Sequence, residues 1–91
     1  MTGTEYAVAS DVVSASLHDG AVVLHLGTKR YYSLNETGAL VWQLLEARTP
    51  RPAIVAELRR AFDVDAAAAE AAVERLVAEL AAERLLVPWE C

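Results

Sequence analysis

The first third of the chain alternates apolar and polar residues with a period of two, which is the pattern of half-buried β-strands. The alternation runs over residues 13–18 and again over residues 21–26, and the dipeptide Asp19-Gly20 between them favours a tight hairpin turn. Pairing residue 18 with residue 21 places both apolar sets on one face, which we expect to be the core face. Those sets are Val13, Ala15 and Leu17 on the first strand and Val22, Leu24 and Leu26 on the second.

A third strand is predicted from Lys29 to Leu34, after a turn at Gly27-Thr28. If Leu34 faces the core, Tyr32 and Arg30 share its side, because side chains alternate along a strand. The sequence does not fix the length of the preceding turn, and a slip of one residue would exchange Tyr31 for Tyr32. Residues 1–11 show no period and predict a loose lead-in.

Beyond Leu34 the apolar period changes from two to 3.6, which predicts three helices. Asn35 is a favourable N-cap for the first, Pro50-Arg51-Pro52 starts the second, and Asp65 caps a third from about residue 66 to 83. Three strands followed by three helices predict one α+β domain with the elements of a winged helix-turn-helix. The predicted buried faces are Gly38, Val41, Trp42 and Leu45, then Ile54, Val55, Leu58 and Phe62, then Ala69, Val73, Leu76 and Leu80.

The charge of the chain limits its partners. The sequence has 13 acidic and 8 basic residues, and residues 63–91 hold seven of the acids against only Arg75 and Arg84. A helix that enters a DNA groove needs Lys and Arg to neutralise phosphates, so a DNA-binding regulator is disfavoured. The apolar runs are too short to span a membrane, and the first residues lack the basic start of a signal peptide, so we expect a cytoplasmic protein.

Candidate catalytic and metal-binding groups are few. His18 and His25 are expected to point outward from their strands as solvent-exposed residues, and the one cysteine, Cys91, is the last residue. No Ser-His-Asp, Cys-His or paired-carboxylate arrangement is recognisable. The sequence therefore predicts a protein that is not an enzyme, with no metal and no cofactor. Trp89 either packs onto the sheet or contacts a partner.

Residues 31–38, Tyr-Tyr-Ser-Leu-Asn-Glu-Thr-Gly, followed by Val41-Trp42 and Leu44-Leu45, resemble the PqqD-like family. The likeness continues through residues 62–65 and closes at Leu85-Leu86, so it covers about residues 10–87 of a single domain spanning 1–91. Members of this family are RiPP recognition elements, which bind the leader segment of ribosomally made precursor peptides. The Arg-Tyr-Tyr version in a free-standing chain is most similar to the leader-binding proteins of lasso-peptide biosynthesis.

The resemblance implies a winged helix-turn-helix that binds the leader between the third strand and the third helix and presents it to a leader peptidase and a downstream cyclase. An edge strand suits this role because its free backbone groups accept an added peptide strand. Apolar side chains would line the slot, with Val77 at its rim, and charges would set the peptide's direction. The predicted peptide-binding residues are Lys29, Arg30, Tyr31, Tyr32, Ser33, Leu34, Glu70, Val73, Glu74, Leu76, Val77 and Leu80.

Three alternatives stay open at this point. A carrier for the precursor of pyrroloquinoline quinone, or of another modified peptide, belongs to the same class and is poorly separated by sequence. A winged-helix regulator of transcription is opposed by the acidic third helix. The third alternative is a structural oligomer in which the third strand pairs with its own copy.

Overall fold

The computed structural model describes residues 6–88, so Trp89 and Cys91 lie outside the described residues. The order of elements confirms the predicted α+β arrangement, in which an antiparallel three-stranded meander precedes three helices. Among residues 6–88, no helix is long and apolar enough to cross a bilayer. The elements are β1 (Tyr6–Val8), β2 (Val12–Leu17), β3 (Gly20–His25), β4 (Arg30–Asn35), α1 (Glu36–Glu46), α2 (Arg51–Ala61), α3 (Ala66–Ala82) and β5 (Leu86–Pro88).

The prediction of a loose lead-in is wrong for residues 6–8. They form β1, which pairs antiparallel with β5 and places Ala7 opposite Val87. The Ala9 N–H extends the contact by donating to the carbonyl oxygen of Leu85 at 3.0 Å. Each strand has three residues, which is too short for an alternating pattern to reveal it in the sequence. The pairing joins the start of the described chain to the segment that follows α3.

The hairpin between β2 and β3 is one residue earlier than predicted. Leu17 lies opposite Gly20, so the loop consists of His18 and Asp19. Gly20 is the first residue of β3, where a Cβ would collide with the carbonyl oxygen of Leu34 on β4. Only glycine therefore allows the end of β4 to approach β3 this closely.

The predicted core face of the hairpin is also wrong. The buried residues of β3 are Ala21, Val23 and His25, whereas Val13 and Leu17 on β2 are 49% and 55% exposed. Both sides of β3 carry apolar residues, so alternation does not identify the side on which the helices pack. In the structure α1 packs against β3 and β4, and it covers the side that bears Val23.

His25, which was expected at the surface, is 7% exposed and organises the turn before β4. Its Nδ1 accepts hydrogen bonds from the backbone N–H groups of Gly27 at 3.0 Å and Thr28 at 3.2 Å. A Cβ at Gly27 would come within 2.9 Å of the imidazole ring. Lys29 then adopts a left-handed conformation with φ 66°, and β4 begins at the next residue. The buried imidazole thus sets where β4 starts.

The helix starts follow the predicted caps. The Asn35 side chain accepts from the Gly38 N–H, and the Asp65 side chain accepts from the Ala68 N–H, each at 2.8 Å. The predicted core position of Trp42 is confirmed, since it is 1% exposed. The buried cluster consists of Val23, Val41, Trp42, Leu45, Ile54, Leu58, Ala69, Val73, Val77, Leu80, Leu85 and Leu86.

Replacing Asp65 by Ala is expected to lower the free energy of unfolding by about 1 kcal/mol, because the first turn of α3 loses its capping hydrogen bond. The melting temperature should fall by about 4–8 °C in a domain of this size. Asp63→Ala is the matched control, since Asp63 is exposed and caps no helix. Equal melting temperatures for the two variants would contradict the capping role.

Candidate functional site

A groove lies between β4 and α3 and consists of two adjoining cavities of about 360 and 410 Å³. The cavities share Ser33, Leu34, Leu76 and Glu79, so they form one continuous depression, here named the β4–α3 groove. Its other lining residues are Tyr32, Leu80, Ala82, Glu83 and Leu85 at one end and Asn35, Thr37, Gly38, Ala72 and Arg75 at the other.

The outer edge of β4 borders this groove, and among the described residues its backbone groups are unpaired. The Leu26 N–H donates to the Asp11 carbonyl oxygen at 2.8 Å, and this pair continues the β2–β3 register. Because hydrogen bonding alternates along an antiparallel strand, the pair determines which residues of β3 bond to β2. The remaining residues of β3 bond to β4, and Tyr32 is among their partners. The N–H and C=O groups of Tyr31 and Ser33 therefore point away from β3. Within residues 6–88, no other strand pairs with this edge.

The side chains of β4 divide between two faces of the sheet. Tyr32 and Leu34 are half-buried against the core cluster, whereas Tyr31 is 71% exposed on the opposite face. Leu34 and Leu76 both line the two cavities, which gives the groove an apolar floor. Among residues 6–88, no group of three His, Cys, Asp or Glu side chains could hold a metal ion. The groove thus offers apolar contact, charge and a row of free backbone groups.

One end of the groove is closed by contacts between β4 and the end of α3. The Tyr32 hydroxyl donates to Oε1 of Glu83 at 2.6 Å, and Arg30 lies 3.6 Å from the same oxygen. The Arg30 guanidinium also lies over the Tyr32 ring, 5.8 Å from its centroid. The hydrogen bond to Glu83, with a further contribution from burial, raises the pKa of the Tyr32 phenol above its ordinary value.

Five of the predicted site residues line the β4–α3 groove, and two of the others lie in the core instead. Val73 and Val77 are 1% and 2% exposed and belong to the buried cluster. Placing Val77 at the rim of the slot was therefore wrong, because its side chain points between α3 and the rest of the core. The five that line the groove are Tyr32, Ser33, Leu34, Leu76 and Leu80.

The predicted charged residues of the helix lie elsewhere. Glu70 and Glu74 are exposed and do not line the groove, and Lys29 lies in the turn before β4. The charged side chains that line it, all missed by the sequence analysis, are Arg75, Glu79 and Glu83. Their signal was a stripe that recurs at helical spacing beside the buried stripe and is formed by Ala72, Arg75, Leu76, Glu79 and Glu83.

The chain resembles a known protein family in sequence. Residues 20–86 match the family model described as coenzyme PQQ synthesis protein D (PqqD). The chain belongs to the PqqD family. No curated protein matches the chain in sequence.

Two solved structures resemble this member of the PqqD family along nearly its whole length. The first is TbiB1 in complex with the TbiA(beta) leader peptide, with a TM-score of 0.86 and 30% identity over 93% of this chain and 99% of that chain. The second is lasso peptide synthetase B1 complexed with the leader peptide, with a TM-score of 0.82 and 25% identity over 92% and 99%. The fold expected from the sequence is therefore also that of proteins solved with leader peptides.

Replacing Glu83 by Gln is expected to lower the pKa of Tyr32 toward its ordinary value, because the acceptor loses its negative charge. A raised pKa in the folded state means that the bond contributes stability below pH 10, the ordinary tyrosine pKa, and that this contribution is lost as pH rises through the folded pKa. Ultraviolet titration of phenolate formation, with Tyr32→Phe to assign the signal, measures the shift. An unchanged titration in Glu83→Gln would contradict the contact.

Proposed function

We propose that this protein is a non-catalytic adaptor that binds the leader segment of a ribosomally made precursor peptide in the β4–α3 groove. The proposal rests on the open edge of β4 beside an apolar groove, in a chain similar to two proteins solved with leader peptides. An extended peptide bonds to such an edge through its backbone and directs alternate side chains into the groove. We place this activity in the cytoplasm, where ribosomally made precursors are released.

The solved neighbours favour a lasso-peptide precursor as the source of the leader. Both neighbours are covered over 99% of their length, and one of them is named lasso peptide synthetase B1. The description of the matching family names PQQ synthesis, so the precursor of that cofactor is the second candidate. Calorimetric titration with each candidate leader distinguishes the two pathways.

The outer face of the meander provides a second surface for an adaptor. Val13, Leu24 and Tyr31 lie opposite one another on neighbouring strands and form an apolar row across the sheet. Val13, Leu17 and Tyr31 are exposed, and a contiguous apolar face of this kind is typical of protein interfaces. A strand added at β4 would extend the same sheet, so a partner on this face would contact adaptor and leader together. We assign this face to the leader peptidase, with a downstream cyclase as a second candidate.

Replacing Ser33 by Pro is expected to weaken leader binding about tenfold or more, because the proline removes an outward N–H and crowds an added strand. Stability should change little, since that N–H makes no bond to β3. Ser16→Pro is the matched control, because Ser16 holds the equivalent outward position on β2 at the opposite edge of the sheet. Titration calorimetry should show one leader per chain and no binding of the precursor's core segment. Equal losses in the two variants, or equal binding of the core segment, would contradict the β4 site.

The double substitution Val13→Thr and Leu17→Thr is expected to slow leader removal by the peptidase about tenfold, while leader affinity stays unchanged. Threonine keeps the β-branched shape suited to a strand but reduces the apolar contact. Leu76→Ala is the reciprocal control, since it should lower leader affinity and leave the outer face intact. The measurement is the rate at which the peptidase cleaves the precursor, at a precursor concentration that saturates the adaptor. Normal cleavage by the double variant under those conditions would exclude this face.

A further inference from the structure

The α3 wall of the groove carries charges of opposite sign along its length. Arg75 lies at the end near the start of α1, Glu79 lies in the middle, and Glu83 lies at the end near Tyr32. Glu83 already contacts Arg30 and Tyr32. Arg75 and Glu79 are one helical turn apart, yet within the described residues neither makes an ion pair or a side-chain hydrogen bond. Two exposed charges at the groove therefore lack partners among residues 6–88.

The spacing of these charges matches the repeat of a β-strand. Four residues of α-helix advance about 6 Å, which separates Arg75 from Glu79 along the groove. Two residues of β-strand advance about 6.6–6.8 Å, and residues two apart project from the same face. A peptide strand beside β4 would therefore place one inward side chain opposite Arg75 and the inward side chain two residues away opposite Glu79.

The direction of β4 determines the order in which a peptide meets the two charges. β4 runs antiparallel to α3, since Tyr32 near its start contacts Glu83 and Asn35 at its end lies in the cavity that contains Arg75. A peptide paired antiparallel to β4, the more stable arrangement for a strand pair, runs in the same direction as α3. Its N-terminal part then passes Arg75 before it reaches Glu79.

On this basis we infer that the groove selects a leader by charge order: an acidic residue followed, two positions later, by a basic residue. This inference rests on the proposed function, and it adds a chemical requirement and a direction to the peptide. The acidic side chain meets Arg75 and the basic side chain meets Glu79. Glu83 already has partners on β4, so the next inward position of the peptide can carry an apolar side chain above Leu34 and Leu80.

The experiment is a selection from a display library of short random peptides, each long enough to span the groove. The protein is used as the full chain, as the parent and as the double variant Arg75→Glu and Glu79→Arg, which keeps the net charge. The matched control is Arg59→Glu and Glu70→Arg, because those exposed residues lie away from the groove. All four positions are exposed, so circular dichroism and melting temperature should match the parent.

The parent and the control variant should enrich peptides with an acidic residue two positions before a basic one, and the swapped variant should enrich the reverse order. A peptide selected on the parent should bind the swapped variant about tenfold more weakly in fluorescence anisotropy, since two attractions become repulsions. Enriched peptides without a charge order, with the reverse order on the parent, or unaffected by the swap would overturn this inference alone. Failure of the parent to enrich any peptide would overturn the proposed function as well.

Discussion

The position of β4 at the edge of the meander is the constraint on which the rest of the site depends. Because β4 bonds to a neighbour on one side only within the described part of the chain, every second residue directs its backbone groups away from the sheet. The same alternation sends Tyr32 and Leu34 toward α3 and Tyr31 toward the opposite face. One short strand therefore creates a backbone edge, an apolar groove wall and part of an outer surface.

That arrangement requires the register of β4 to be fixed, since a slip of one residue would exchange Tyr31 for Tyr32. His25 fixes the start of the strand by holding the turn at Gly27 and Thr28. The bond between Tyr32 and Glu83 ties the strand to the end of α3, and Asn35 ends it by capping α1. Contacts on three separate elements thus favour one register over its neighbours.

The parts of the fold that local chemistry determines could be predicted from the sequence. Asn35 and Asp65 cap helices because their short side chains reach the N–H groups two to three residues later, and Trp42 lies on a helix with a clear apolar face. The buried side of β3 could not be predicted, because Ala21-Val22-Val23-Leu24 is apolar on both faces. Only the packing of α1 decides between them, and that is a tertiary contact.

The same limit explains the errors on α3. The helix carries two neighbouring stripes, one with Val73 and Val77 and one with Leu76 and Glu79, and both include apolar residues. The first is wholly apolar and is buried in the core, which leaves the mixed stripe facing the groove. A sequence shows that two stripes exist, but which of them meets β4 depends on how α3 is rotated against α2 and β5.

The rotation of α3 also explains why a fold with winged-helix elements suits a peptide better than DNA. A helix that reads a DNA groove gains affinity when its Lys and Arg side chains release counterions from phosphates. Glu70 and Glu74 are exposed on the side of α3 away from the groove and Glu79 is exposed within it, and all three would repel phosphates. A leader peptide carries no regular array of negative charge, and in the proposed binding mode it would gain affinity from backbone bonds at β4 and apolar contact with Leu76. Acidic residues on this helix therefore disfavour DNA as a ligand without weakening the interactions proposed for a leader peptide.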